Sequence, residues 1–266
     1  MARNRLAFAK EWTTVMAGHE ESAHPEFWEK HHFWIRRLHS LMGVIPLGVF
    51  LVMHLMTNAS ILGGAEVFND NIERIHSLGP LLVPIEIVGI FIPLAFHILI
   101  GIKIVTTAKN NAGVYKYRAN LRYTLQRVSG VIATLFILYH LFHMHWIGRP
   151  LSFMGGAQFD PHDASASAAA AIQLHWIIAP IYVLGVISTV YHFANGLWTF
   201  LITWGITVGQ RAQRVAGGMC AALGVVLCVV GLAAVSGFRM FEADEHAVAP
   251  DVHAMSAQGE SKTGGS

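Results

Sequence analysis

Five long apolar runs, at about 34–59, 81–106, 125–147, 171–203 and 215–235, constrain this chain more than any other feature. About 20 helical residues, rising roughly 1.5 Å each, cross the hydrocarbon core of a bilayer, and every run meets that length. No water reaches the bilayer interior. The backbone amides and carbonyls of each run must therefore pair within the run, which calls for a helix in segments of this kind. The fourth run is long enough to tilt or to project beyond the bilayer. Charge is scarce: Asp, Glu, Lys and Arg make up 13% of the 266 residues, against about 25% in a soluble domain. The expected fold is all-α and integral to the membrane, with five transmembrane helices over 33–240, a polar leader over 1–32 and a disordered polar tail over 241–266. The leader lacks the apolar stretch of a cleaved signal, so the first helix is expected to serve as its own insertion signal.

Basic residues sort to alternate connections. The N-terminal segment carries Arg3, Arg5, Lys10, Lys30, Arg36 and Arg37; the connection after the second run carries Lys109, Lys116, Arg118 and Arg122; the one after the fourth carries Arg211 and Arg214. The intervening connections are poorer in base, with Arg74 beside Glu66, Asp70 and Glu73, and Arg149 beside Asp160 and Asp163. Positive residues stay on the cytoplasmic side, which puts the N-terminus in the cytoplasm and the C-terminus outside. A formal net charge of +2 is too small for a nucleic-acid-binding surface, so no nucleic acid partner is expected. Cys220 and Cys228, eight residues apart in the fifth run, suit helix packing and supply neither a disulfide framework nor a zinc knuckle.

The chain has 16 histidines, several of them inside the apolar runs. Histidine is costly in hydrocarbon and is functional by default when found there. His54 and His140 lie past the midpoints of runs that travel outward, so both fall in the outer half. His97 and His192 lie at or past the midpoints of runs that travel inward, so both fall toward the inner half. Two imidazoles then face each other at each of two depths, from four helices. This is what six-coordinate haem iron requires, and bundle cores are where such sites are built. A zinc or copper transporter is the rival for a histidine-rich membrane chain, but it would favour carboxylates and cysteines beside the histidines, and the runs hold few of either. His143, His145, His76, His175 and the leader's His19, His24, His31 and His32 are read as interfacial or solvated. A faint internal repeat links the runs: Gly-Val-Ile precedes His54 by 11 residues at Gly43 and His140 by ten at Gly130, while His97 and His192 each precede a glycine (Gly101, Gly196) by four. Glycine one turn from a ligand admits a flat macrocycle to the backbone.

Helical phase adds neighbours. Arg36 lies 18 residues before His54, and Arg122 lies 18 before His140. That is five turns, so each arginine shares its histidine's face at roughly 27 Å toward the cytoplasm. With Arg37, His39, Ser40 and Gln126 these arginines are candidates to meet the propionates of an inner haem, since the guanidinium fork matches carboxylates. Snorkelling cations that set topology would occupy the same positions. Glu86, 11 residues before His97, falls about 20° off that face and roughly 16 Å outward. It is a candidate for proton exchange with a quinone near the outer haem.

Three segments carry a resemblance: Arg36-Arg37-Leu38-His39-Ser40-Leu41-Met42-Gly43-Val44-Ile45-Pro46, Thr107-Ala108-Lys109-Asn110-Asn111-Ala112-Gly113 and His192-Phe193-Ala194-Asn195-Gly196-Leu197-Trp198, with Trp204-Gly205-Ile206-Thr207-Val208 fitting as well. From about 33 to 235 the chain resembles the dihaem cytochrome b subunit of succinate dehydrogenases and fumarate reductases, of the type with a single five-helix anchor. The resemblance implies two b haems in a four-helix core, the outer on His54 and His140 and the inner on His97 and His192. It also implies a flavoprotein and an iron–sulfur subunit docked on the cytoplasmic face of a bacterial inner membrane. Electrons would pass to or from a quinone, usually menaquinone, near the outer haem, with no dicarboxylate site on this chain. Some fumarate reductases of this type carry a Glu two residues before the fourth ligand as a proton path. Here that position is Val190, which leans the reading toward succinate oxidation. The anchor of another quinone-linked dehydrogenase is the alternative within the dihaem class.

Overall fold

The computed structural model describes residues 27–107 and 118–242. Expectations for 1–26, 108–117 and 243–266, including Arg3, Arg5, Lys10, His19, His24, Lys109, Lys116 and the tail, lie outside the described residues. Among the described residues every regular element is helical: α1 (Phe27–Val44), α2 (Pro46–Ala59), α3 (Ala65–His76), α4 (Leu82–Glu86), α5 (Ile92–Thr106), α6 (Arg118–Met144), α7 (Ala164–Gln173), α8 (Ile178–Thr203) and α9 (Gln210–Met240). Five stretches are long and apolar enough to cross a bilayer, namely Lys30–Gly63, Gly79–Thr106, Asn120–Met144, Ile178–Thr203 and Gln210–Met240. They match the five expected runs in number and order.

Proline shapes the first two crossings. Pro46 has no amide hydrogen and its ring crowds the preceding turn, so α1 and α2 meet at Ile45. The ladder resumes at once, with Val49 N–H donating to the Ile45 carbonyl at 3.1 Å. In the second crossing α4 and α5 are joined by a π-turn, Ile87–Phe91, in which Ile92 N–H reaches back to the Ile87 carbonyl. Pro93, just beyond, cannot donate to the turn behind it, and the wider turn absorbs the mismatch.

The fourth crossing is shorter than the apolar run that announced it. α7 ends at Gln173, the chain bends, and α8 begins at Ile178. The alanine-rich stretch of α7 is apolar because it packs on protein: Ala164, Ala168, Ala169, Ala171 and Ile172 are buried. Gln173 Nε2 fixes its end by donating to the carbonyls of Phe238 and Phe241, both at 2.8 Å. α3 lies alongside, where the Asn69 side-chain oxygen accepts from Ser165 N–H at 2.9 Å. Phe68, 1% exposed, meets Phe238 edge-on with ring centres 5.1 Å apart. The connections at this end of the bundle thus fold into a cap. α6 stops at Met144, and the carbonyls of Phe142 and His143 then accept from Ala157 and Gln158 at 3.0 and 2.8 Å.

α9 runs along α8 and α2. Gly231 lets it close on Val186 and Leu55, where an added Cβ would stand 2.7 and 3.2 Å from their side chains. The four candidate histidines lie on the other four crossings, of which α1 meets α5 and α8, and α6 meets α8. α8 ends in a Schellman turn at Gly205, φ +72°, with Gly205 N–H donating to Ile202 and Ile206 N–H to Leu201. A left-handed residue in that place favours glycine. One end of the bundle carries Arg36, Arg37, Lys103, Arg122, Arg127, Arg211 and Arg214 and, among the described side chains, no acidic residue.

Candidate functional site

The four core histidines stand in two pairs. The ring centres of His54 and His140 are 5.7 Å apart at 76°, and those of His97 and His192 are 6.1 Å apart at 85°. Two metal–imidazole bonds of about 2.0–2.1 Å in line, plus about 1.1 Å from each bonded nitrogen to its ring centre, give roughly 6 Å. Both pairs are therefore spaced to hold one metal ion between them. The pairs occupy two levels. The His192 ring lies against Gly130 and the His97 ring against Gly43, which are ten and 11 residues from His140 and His54, or about 15 Å along the helices.

Gly43 and Gly130 are what bring the lower pair in. An added Cβ would stand 2.5 Å from His97 Cε1 at Gly43 and 2.7 Å from His192 Cε1 at Gly130. With the rings pressed on the helix backbone, their Nδ1 atoms reach the carbonyl one turn earlier: His97 to His39 O at 2.9 Å and His192 to Gln126 O at 3.0 Å. Such a bond fixes the tautomer with the proton on Nδ1 and leaves Nε2 for a metal. Gly101 and Gly196 are matched in the same way, facing His39 and Gln126 respectively. The faint sequence repeat is thus a repeat of packing. The carbonyl partners carried no signal in the sequence, since every residue has one.

The six residues expected near haem propionates divide into separate groups. Arg37 stacks between Phe33 and Trp204, 4.6 and 5.1 Å from their ring centres, and donates to the Thr203 carbonyl at 3.1 Å. Ser40 accepts from Trp204 Nε1 at 3.2 Å. The His39 ring stacks on His97 with centres 4.0 Å apart. Arg37 Nε and His39 Nδ1 are buried and have no partner among the described residues, as groups awaiting an anionic ligand would. Across the bundle Arg122 lies 3.6 Å over Trp198 and donates to the Asn195 side-chain oxygen at 3.0 Å. Asn195 in turn donates to the Gln126 side chain at 2.7 Å. Arg36 is exposed, with its charge within electrostatic reach of His39.

No family model matches the chain. It is 42% identical over 207 residues to the succinate dehydrogenase cytochrome b558 subunit of Bacillus subtilis (strain 168), an alignment covering 77% of this chain and 96% of that relative. The chain belongs to the succinate dehydrogenase cytochrome b subunit family. It is a multi-pass membrane cytochrome b of bacterial type, a subunit of an oxidoreductase complex in electron transport, and haem b is its cofactor. The paired rings, carbonyl-fixed Nδ1 atoms and unpartnered Arg37 and His39 groups fit that cofactor.

At the other end of this cytochrome b, two expectations change. His143 was expected at a wet interface, yet it is 3% exposed. The last turn of α6 packs on α8 there, and Tyr182 Oη lies 3.0 Å from its Nδ1. The same hydroxyl is 3.3 Å from His140 Nδ1. A tyrosine inside an apolar run, whose hydroxyl needs a partner when buried, was the signal that could have marked this cluster. Glu86 was placed by assuming regular helical phase to His97. The π-turn between them departs from that phase, and the Glu86 carboxylate sits 3.9 Å from Nε2 of His145, whose ring meets Phe91 edge-on. Burial holds the His145 imidazole below its ordinary value. His76 and His175 are exposed, as expected of interfacial residues.

Proposed function

We propose that this chain is the dihaem, quinone-reactive anchor of a succinate:quinone oxidoreductase. It carries electrons between a cytoplasmic iron–sulfur subunit, itself joined to a flavoprotein, and a membrane quinone, menaquinone for this type. One observation carries the reading: two imidazole pairs, 5.7 and 6.1 Å between ring centres, on four helices and at two levels. A pair supplies two ligands only. A bare metal ion needs about four, and among the described residues no group of three or more His, Cys, Asp or Glu could hold one. The macrocycle of a haem would supply the rest, which disfavours the metal transporter.

Haem, when bound, supplies a one-electron iron couple; the chain's residues bind and orient it. His54 and His140 hold the outer haem and His97 and His192 the inner. The carbonyls of His39 and Gln126 keep the Nε2 atoms of His97 and His192 free to ligate. Arg37, His39 and Ser40 on α1, with Arg122 and Gln126 on α6, receive the inner propionates, and Arg36 supplies charge at the rim. The basic end of the bundle is the cytoplasmic face, by the same preference that keeps positive residues inside. Glu86, beside His145 at the opposite end, exchanges protons with the quinone. Val190, where a carboxylate serves some fumarate reductases, favours the succinate-oxidising direction.

The test is haem stoichiometry by dithionite-reduced and pyridine-haemochrome spectra of the purified complex, with succinate–quinone assay and identification of co-purifying subunits. Two haems per chain are expected. His54→Ala and His140→Ala should each remove the same haem, and His97→Ala and His192→Ala the other. Loss of one and the same haem from His54→Ala and His97→Ala would refute the pairing, and absence of a b-type band with haem supplied would refute the cytochrome site.

A further inference from the structure

The proposed ligands differ in what their second ring nitrogen meets. His97 and His192 reach backbone carbonyls. His140 meets a side-chain hydroxyl, Tyr182 Oη at 3.3 Å, which is also 3.0 Å from His143 Nδ1. Tyr182 and His143 are 6% and 3% exposed, so no bulk water competes for these bonds. Phe136 and Tyr139 wall the cluster, the first stacked on His140 and the second on His143. Gly185 admits the Phe136 ring to α8, since a Cβ there would stand 2.2 Å from it.

A hydroxyl has one proton, which fixes the direction of the chain. This step rests on the reading that His140 binds haem iron through Nε2. Its Nδ1 then carries the proton and donates to Tyr182 Oη, and the hydroxyl donates its own proton to His143 Nδ1. His143 is neutral, with its proton on Nε2, an atom with no partner among the described residues. We propose that Tyr182, backed by His143, is a positioning residue for the outer haem. It orients the His140 ring and, by accepting its Nδ1 proton, makes the ligand more basic and the haem harder to reduce. The His143 acceptor polarises the Tyr182 hydroxyl and strengthens that effect. Partners of this kind commonly change metal-site properties tenfold or more.

Redox titration of both haems in the purified complex tests this. Tyr182→Phe, which removes only the hydroxyl, should raise the potential of one haem and leave the other unchanged. The expected size is about a tenfold rise in the reduced-to-oxidised ratio at fixed ambient potential, or ~59 mV for a one-electron couple. His143→Leu should shift the same haem in the same direction by less, and it provides the test should Tyr182→Phe fail to assemble. Because the effect of His143 passes through the hydroxyl, the double variant should shift no further than Tyr182→Phe alone. His140→Ala identifies the haem concerned. If His140→Ala removes one haem but both single variants leave its potential unmoved, or if their shifts add in full, the positioning role is overturned and the ligand reading stands. If His140→Ala removes neither haem, the ligand reading falls, and this inference with it.

Discussion

On the dihaem reading proposed above, Gly43→Ala should cost one haem and spare the other. The added methyl would stand 2.5 Å from His97 Cε1 and 2.9 Å from His97 Nδ1, where an ordinary contact between such atoms is about 3.5–4.0 Å. The ring must therefore retreat by about 1 Å. It has little freedom to do so without loss, because its Nδ1 is 2.9 Å from the His39 carbonyl and its face is stacked on the His39 ring at 4.0 Å. A retreat of that size takes the nitrogen beyond about 3.5 Å, where no hydrogen bond remains. Loss of such a bond typically lowers metal-site affinity 10–100-fold, and overpacking adds about 1–3 kcal/mol of strain. Gly130→Ala makes the equivalent clash, 2.7 Å from His192 Cε1, and should affect the same haem. Gly218→Ala is the control, since among the described residues nothing lies within 4 Å of a Cβ there. The assay is haem per chain from reduced-minus-oxidised spectra of the purified complex. Two haems with unaltered α-bands in Gly43→Ala and Gly130→Ala would refute the claim that these glycines seat the ligands.

Two further outcomes follow from the cap. Phe68→Ala opens a cavity in a nearly sealed site and breaks the contact with Phe238; it should cost about 3–5 kcal/mol, read as a lower Tm in detergent with unchanged haem spectra, and an unchanged Tm would count against a folded cap. The His145 imidazole is held below its ordinary value near 6.5 by burial, so in the window just below about 6.5 the unfolded chain binds more protons than the folded one. The stability contributed by His145 is therefore present above that pH and lost as pH falls through it. Thermal unfolding from pH 7 to 5 should show a shallower decline for His145→Leu than for the parent, and equal slopes would refute the assignment.

Much of the architecture was legible because the bilayer imposes it. Apolar runs of the right length have few other ways to fold, and alternating crossings convert positions along the chain into depths. That is why His54 could be matched with His140, and His97 with His192, from the sequence. The structure departs from the sequence expectation at points where tertiary packing overrides a local rule. The stretch 171–177 is apolar enough for lipid, but Ala171 and Ile172 are the buried end of α7, and Leu174, Trp176 and Ile177 form an exposed bend before α8. His143 looked interfacial by its place near the end of a run, yet Tyr182 from another helix encloses it. Glu86 was projected through Pro93 as though the helix were regular.

The sequence by itself determined the five crossings, the uneven distribution of base between connections and the four histidines, because each depends on composition and periodicity along one strand of chain. Only the tertiary structure decided which backbone each ring touches. The His39 and Gln126 carbonyls, the glycines that admit His97 and His192, and the hydroxyl shared by His140 and His143 all come from residues 39 to 66 positions away in the chain. A hydrogen bond is set by distance and direction at the ångström scale. Helix packing fixes those quantities, and the pattern along the sequence does not.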